Sequence, residues 1–503
     1  MIDPNDKDFT VGIVGAGAMG QGIAQVALTG GMNVILHDVR EGAAEAGISA
    51  VLKRLARLVE KGKLDEKELA AMRGRAIAAS SLGEFSACHL VIEAVFEDLD
   101  LKQRVFGEIE SAVSGDCVIA TNTSSILISS IARASENRGR IAGLHFFNPV
   151  PLMRLVEVIR CPETRPDVVD FLVAVGTRMG RTPVVAKDAP GFIVNFGGRS
   201  YTTEAMRIVH DGVATPAQID AVMRDCCGFR MGPCELMDLT GVDVNFPATQ
   251  VIYSGYNDDP RLKTSFPHRL LLESGQLGRK THRGNFRYDD KGAMIDPPSP
   301  DHVPGAPAAK SVVLCEGGDA LKAFAAALGL AVLGSDDGKS PLLASPLGED
   351  CTAFSVRTGA DYRRLVAVDL SADTSRRVTV MTAPGADAAA RDGVAAAIIA
   401  SGRSVTAIKD SPGFIAQRIR AMIANLGCEM AQIGVAAPDQ IDLALKLGLN
   451  YPLGPLEMAE TMGAASVLSI LANIQALTGE DRYRPSAWLR RRASLGLSIA
   501  TPD

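Results

Sequence analysis

The chain has 503 residues, 47% hydrophobic and 22% charged, with 49 Gly and 26 Pro, the composition of a folded protein of three or four domains at roughly 100–200 residues each. Its net charge of −6, with no long run of one sign, argues against nucleic acid as the main partner and against disorder. No window approaches ~18 uncharged apolar residues, the start MIDPNDKDFTVGIVGAG has no basic segment leading into an apolar one, and the nine cysteines form no C-x-x-C pair. A reduced, cytoplasmic protein without membrane span, disulfide framework or zinc site is therefore expected.

Phe9–Val14 is a short apolar, β-rich run that leads into Gly15-Ala16-Gly17-Ala18-Met19-Gly20. Ile23, Ala24, Val26, Ala27 and Leu28 then read as the apolar side of a helix that Gly30-Gly31 stops. Asn33–His37 reads as a second strand, ending at Asp38. A G-x-G-x-x-G motif alone is weak, but between a strand and a helix, with an acid roughly 20 residues on, it is specific for a dinucleotide. Gly15 permits the tight turn, Gly17 lets backbone approach a pyrophosphate, and Gly20 allows close helix–strand packing. The helix N-terminus, with Ala18 and Met19, faces the phosphates. Asp38 is placed to accept from a ribose 2′-OH and would repel a 2′-phosphate, so NAD is favoured over NADP; Arg40 weakens that preference slightly. The competing reading is a glycine-rich turn in an unrelated α/β domain.

Between Asp38 and Leu82 a long helical stretch carries Lys53, Arg54, Arg57, Lys61 and Lys63. A basic arm of this kind suits a phosphorylated substrate tail, although a solvated helix face explains any one of these residues equally well. Ala87–Val95 and Asp116–Thr121 are buried-strand patterns, followed by Glu97–Lys102 and Asn122–Ser125. Strands alternating with helices imply a doubly wound parallel sheet, and ligands bind such sheets at the carboxyl ends of the strands. Both following segments should border the cofactor. Next, the apolar runs of Ile141–Asn148 and Leu152–Ile159 flank the corner Pro149-Val150-Pro151. If they pair as a hairpin centred on Pro151, His145 and Glu157 lie opposite each other. A histidine held by a carboxylate is what a general base for an alcohol proton requires. Alone, His145 is more often a satisfied core or surface histidine; after a dinucleotide fold the catalytic reading is favoured.

The segments GAGAMG, ATNTSS, GLHFFNPVP, LVEVI and KDAPGFIVN, in this order and spacing, closely resemble the L-specific 3-hydroxyacyl-CoA dehydrogenases of fatty-acid and aromatic degradation. The resemblance runs over nearly the whole chain and is most specific over Asn122–Glu157. The ending Gly479–Pro485 is similar to a long form with a duplicated C-terminal region. By resemblance, His145 is the catalytic base and Glu157 its orienting acid, while Ser124 and Asn195 contact the reacting oxygen of the substrate. Asp38, Glu97, Lys102, Asn122, Ser124, Asn148 and Lys280 fall at positions near the NAD. Lys53, Arg54 and Lys61 are the candidates for the CoA moiety. Phe196-Gly197-Gly198 replaces the Arg the family usually has after the matched Asn, and Arg230 stands where the family has Pro. Two glycines cost a helix roughly 1 kcal/mol each relative to Ala, so this helix is expected to kink or start late.

Lys187-Asp-Ala-Pro-Gly-Phe-Ile recurs 222 residues on as Lys409-Asp-Ser-Pro-Gly-Phe-Ile, and Gln218-Ile-Asp recurs at the same offset as Gln440-Ile-Asp. This is a duplicated helical domain. Four segments follow: a Rossmann domain over 1–186, a first helical domain over 187–290, a linker and reduced α/β domain over 291–402, and a second helical copy over 403–503. The fold class is α/β plus all-α. The second copy has Gln417 where Asn195 stands, and no phosphate glycines or His–Glu hairpin precede it. It is expected to pack on the first copy in a monomer or homodimer. The expected activity is NAD-dependent oxidation of an (S)-3-hydroxyacyl-CoA, adipyl or butyryl in type. A β-hydroxyacid dehydrogenase acting on a free acid and a non-catalytic dinucleotide-binding protein are the alternatives.

Overall fold

The computed structural model describes every residue except Gly317. Its contacts divide the chain into two units: Met1–Phe196 with Ile433–Leu449, and Gly197–Gln432 with Asn450–Asp503.

The first unit is built on eight strands: β1 Thr10–Val14, β2 Asn33–His37, β3 Ala76–Ala79, β4 Leu90–Glu93, β5 Val118–Thr121, β6 Ile141–Phe146, β7 Leu155–Arg160 and β8 Thr182–Lys187. They lie in the order β3-β2-β1-β4-β5-β6-β7-β8. The first six positions follow the strand order of dinucleotide-binding sheets, with the reversal point between β1 and β4. The central strands are buried on both faces, which explains why they read as continuous apolar runs rather than as alternation. All pairings are parallel except β6 with β7, which are antiparallel as the Pro149–Pro151 corner requires. The stretch read from sequence as entirely helical contains β3. Ala76-Ile-Ala-Ala79 has no helix-breaking residue, but parallel pairing to β2 overrides its local preference. The helix Pro438–Leu449 belongs to this unit and packs on β7 and β8, burying Ile441, Ala444 and Leu445. The Lys187 N–H donates to the Val435 carbonyl at 2.8 Å just before that helix.

The second unit has a six-stranded sheet: β9 Ser311–Leu314, β10 Ala331–Leu333, β11 Leu342–Ala344, β12 Leu365–Val368, β13 Arg377–Met381 and β14 Ser404–Ile408, in the order β10-β9-β11-β12-β13-β14. Its far end copies the end of the first sheet. β12 and β13 are antiparallel, β13 and β14 are parallel, and Arg377 pairs with Ser404 at the same stagger that pairs Leu155 with Thr182. The region read as a reduced α/β linker thus belongs to the repeat. Even the docking recurs: the helix Pro216–Asp225 packs on β13, and the Lys409 N–H donates to the Val213 carbonyl at 3.1 Å. The long helices Arg199–His210 and Ile415–Gln432, related by the repeat, pack on each other. The second is buried almost all round, its polar Gln417, Arg418, Arg420 and Asn425 included. Between Val194–Gly197 and Arg199–His210 the helix is interrupted at Gly198, at the predicted glycine pair.

No single helix among the described residues is long and apolar enough to cross a membrane. The bent pair Pro455–Met462 and Ala464–Thr478 meets that test by length and composition, and it buries Met458, Val467, Ile470 and Leu471 within this unit.

His268, in the helix Phe266–Glu273, is fully buried. Its Nδ1 lies 2.9 Å from the Thr264 hydroxyl, its ring stands edge-on to Phe246, and its Nε2 has no hydrogen-bond partner. Burial, reinforced by the Arg199 charge, pulls the imidazole down to about 4. The unfolded chain therefore takes up a proton near pH 6.5 that the folded chain refuses until about pH 4. Folding stability should fall as pH drops through this window, at up to about 1.4 kcal/mol per pH unit from this group. Urea unfolding of His268→Phe across the same window should show a shallower slope, and an unchanged slope would exclude the assignment.

Candidate functional site

The turn after β1 is shaped for close approach. Gly15 has φ of 110°, and a Cβ at Gly20 would stand 1.8 Å from the Gly15 carbonyl oxygen. A Cβ at Gly17 would meet nothing within 4 Å. The motif is thus packed against the protein at Gly15 and Gly20 and open at Gly17, the geometry a pyrophosphate needs at the N-terminus of the helix Ala18–Thr29. Ala18 and Met19 form its first turn. Asp38 follows β2 and accepts from the Ala16 N–H at 2.8 Å, which fixes it beside the turn. Arg40 donates to it through its backbone and its guanidinium, each at 3.0 Å. The Arg40 hydrogen bond, acting against burial, holds the Asp38 carboxyl down at about 2. Asp38 is therefore a charged acceptor at any working pH, as recognition of a free ribose hydroxyl requires.

The ends of β4 and β5 are tied together by acids. Glu93 is fully buried and accepts from Lys102 Nζ at 2.8 Å and from the Thr121 hydroxyl at 2.7 Å. Lys102 is itself 1% exposed, with its Nζ 3.4 Å from Glu97. Glu97 Oε1 collects the Thr123 hydroxyl at 2.7 Å, the Ser124 and Ser125 N–H groups at 3.0 Å each, and the Ser125 hydroxyl at 2.9 Å. Burial opposes ionisation here, but Thr123, Lys102 and Ser125 outweigh it and keep the Glu97 carboxyl below its ordinary range. Glu97 thus clamps the loop that presents the exposed Ser124. Sequence reading named Glu97 and Lys102 but missed Glu93 and Thr121. The available signal was an acid at the end of a fully buried strand, which demands a cation.

Next along the sheet, His145 and Glu157 are paired in register on β6 and β7. Both are buried, at 5% and 0% exposure. His145 Nδ1 lies 2.7 Å from Glu157 Oε2, and Glu157 Oε1 accepts the N–H groups of Ile193 and Val194 at 3.0 Å each. The carboxylate fixes the proton on Nδ1 and leaves Nε2 as the acceptor. Phe147 and Phe192 flank the imidazole at 4.5 and 5.8 Å between ring centroids. Asn122 Oδ1 accepts the Phe146 N–H at 2.8 Å, joining the end of β5 to the residue after His145. Half-buried Asn195 donates to the Ser124 carbonyl at 3.4 Å. Ser124, His145, Glu157 and Asn195 are thereby linked within one unit. Asn148 lies exposed just beyond β6. Lys280 belongs to the second unit, exposed in a short turn and ion-paired with Asp243.

The three CoA candidates have different fates. Lys53 is exposed on the helix Ala43–Glu60 and, with Ser49, Leu52 and Arg73, borders an open cavity of about 550 Å³. Arg54 donates to Gln25 and Gln21 at 3.0 and 3.1 Å, which ties it to the first helix. Lys61 caps the helix end, exposed. Lys53 and Arg54 do not share one face, because a helix turns successive residues to different sides.

The second sheet keeps the frame of this site and not its groups. Gln417 donates to the Pro346 carbonyl at 3.0 Å, the repeat counterpart of the Asn195 to Ser124 bond. Opposite Thr379, the counterpart of Glu157, stands Asp369, whose N–H donates to the Thr379 carbonyl. An Asp–Thr pair sharing this backbone bond offers no imidazole to move a proton.

Two family descriptions match the chain: "3-hydroxyacyl-CoA dehydrogenase, NAD binding domain" over residues 10–189, and "3-hydroxyacyl-CoA dehydrogenase, C-terminal domain" over 191–288 and again over 413–499. The chain is 36% identical to the 3-hydroxyadipyl-CoA dehydrogenase of Escherichia coli K12, covering 97% of this chain and 98% of that one. It is 37% identical to a probable 3-hydroxybutyryl-CoA dehydrogenase of Bacillus subtilis, over 56% of this chain and 97% of the relative. Among solved structures, a 3-hydroxybutyryl-CoA dehydrogenase from E. coli K12 superposes with a TM-score of 0.85 at 34% identity, covering 97% of this chain and 98% of that chain.

Proposed function

Because the chain belongs to the 3-hydroxyacyl-CoA dehydrogenase family, whose members are NAD-dependent oxidoreductases, we propose that it oxidises (S)-3-hydroxyacyl-CoA esters at the dyad of His145 and Glu157, with an acyl chain of the 3-hydroxyadipyl kind. The single observation that carries the assignment of the site is the buried imidazole, held at Nδ1 by a carboxylate that two backbone N–H groups fix in turn. The length-matched likeness to the E. coli 3-hydroxyadipyl-CoA enzyme supports the dicarboxylic substrate, whereas the shorter relatives are named for 3-hydroxybutyryl-CoA.

The residues present fit the dinucleotide: Gly17 is open, Gly15 and Gly20 are closed, and Asp38 is ionised beside the turn. When bound, NAD⁺ supplies the acceptor for the hydride that leaves C3 of the substrate. His145 Nε2 takes the 3-hydroxyl proton as that hydride departs. Glu157 stabilises the resulting imidazolium without leaving its two N–H donors. Ser124 and Asn195 orient the substrate oxygen, so that the reacting carbon is held in place before the chemistry begins. Glu97 keeps the Ser124 loop in place through its hydrogen bonds. Of the three CoA candidates, Lys53 is the one that borders the open cavity, and it is assigned to a phosphate of CoA. The nine scattered cysteines, with no C-x-x-C pair, support a cytoplasmic setting. The packing of the two long repeat helices within one chain supports a monomer or a homodimer.

The test follows NADH oxidation at 340 nm with acetoacetyl-CoA, 3-oxoadipyl-CoA and free 3-oxoacids. Turnover of both thioesters, with the dicarboxylic one preferred and the free acids inert, is the expected result. Preference for a free acid would overturn the proposal, and no turnover of any substrate would favour the non-catalytic reading.

A further inference from the structure

Glu157 is oriented by the Ile193 and Val194 N–H groups, so the direction of its carboxylate follows the backbone at Val194. The Val194 side chain rests on Gly448, in the helix Pro438–Leu449 that the second repeat contributes to this unit. A Cβ at Gly448 would stand 2.9 and 3.0 Å from the two Val194 methyl carbons and 3.1 Å from Leu155 Cδ2. A side chain at position 448 would therefore press on Val194, whose N–H holds Glu157, and Val194 or the helix would have to shift. Nothing else accounts for a glycine there: the position is helical, φ is not positive, and alanine favours a helix more than glycine does.

The chain holds an internal comparison. The helix Pro216–Asp225 docks on β13 through the repeat-related contact, and there the counterpart of Gly448 is Cys226, whose Sγ donates to the Arg377 carbonyl at 3.4 Å. On that side the counterpart of Val194 is the smaller Ala416, so a side chain fits, and the dyad positions are held by Asp369 and Thr379. On the side with the His–Glu pair the docking residue is glycine. We infer that Gly448 is a positioning residue for the Glu157–His145 pair, and that the second helical repeat thereby completes the active site of the first half. The inference rests on the proposed role of the dyad.

The experiment compares Gly448→Ala, Val194→Ala and the double variant in the full chain, with kcat, KM for the acyl-CoA and NAD⁺ affinity measured separately. Gly448→Ala should lower kcat about tenfold or more, because the cost falls on the geometry of the reacting groups. KM and NAD⁺ affinity should stay within about twofold, since neither contact involves those ligands. Val194→Ala removes the two methyl carbons in the way, so the double variant should recover most of the lost kcat. An unchanged kcat in Gly448→Ala, or a loss that Val194→Ala does not relieve, overturns the inference. If Gly448→Ala does not fold, the double variant decides: near-normal kcat upholds the inference, and a folded, inactive protein overturns it. Failure of the underlying functional reading looks different, because the unmodified chain would then be inert toward acyl-CoA substrates.

Discussion

His145→Gln should lower kcat by roughly 10²–10⁴-fold while leaving NAD⁺ binding intact, the range seen when a positioned proton acceptor is removed. Glutamine keeps a polar group of similar reach that still hydrogen-bonds to Glu157, so the pocket is not emptied. It has no atom that becomes protonated near neutral pH, so the 3-hydroxyl proton has no acceptor as the hydride leaves. The effect should appear equally in kcat and kcat/KM, the signature of a contact made only in the transition state. NAD⁺ affinity, measured by fluorescence titration, should not move, because the turn at Gly15–Gly20 and Asp38 lies on other strands. A variant with undiminished kcat would remove His145 from the mechanism.

The second large effect is on stability. Glu204 is fully buried in the helix Arg199–His210, and its Oε1 accepts from Arg418 Nε at 2.8 Å and from the Tyr483 hydroxyl at 2.9 Å. Its other oxygen lies 3.1 Å from Arg482, which is also buried. Arg418, in the partner helix of the other repeat, further reaches Ser411 at 3.2 Å and Asp211 at 3.1 Å. One carboxylate thus answers two buried guanidinium groups. Glu204→Ala leaves them inside the helical core with too little negative charge, and breaking a buried pair in this way costs about 3–5 kcal/mol. At roughly 2–4 °C per kcal/mol, the melting temperature should fall by about 6–20 °C. Glu204→Met combined with Arg418→Met and Arg482→Met removes the carboxylate together with both guanidinium groups and should recover much of that loss. A single variant that melts like the unmodified protein would mean that water already reaches this network.

The parts of the site within one local pattern were readable in advance. Strand, glycine turn, helix, strand and acid lie in about thirty residues, and the hairpin brings His145 opposite Glu157 by counting from Pro151. The parts built from distant segments were not. Glu97 acts on Ser124 and Ser125 through a loop that closes only when β4 and β5 are side by side. Arg54 looks like a cation offered to ligand, yet the packing of its helix on the first helix turns it to Gln21 and Gln25. The strand Ala76–Ala79 has no intrinsic signal apart from its neighbour. The repeat was visible where its sequence survived, at Lys187 and Lys409. It was invisible in the second sheet, where strand order and stagger persist after the side chains have changed.

The docking of the helix Pro438–Leu449 on β7 and β8 bears on how the protein is made. The bond from Lys187 to Val435 joins residues about 250 positions apart, and the catalytic sheet has no cover at that place until the ribosome has added them. At roughly 5–20 residues per second, nascent β7 and β8 wait about 10–50 s with apolar surface open to solvent. During that interval the free face can meet the wrong helix, from the earlier repeat of its own chain or from a neighbouring chain. The repeat gives this enzyme a built-in buttress, and with it a folding order in which the first-made sheet of the active site is the last to be covered.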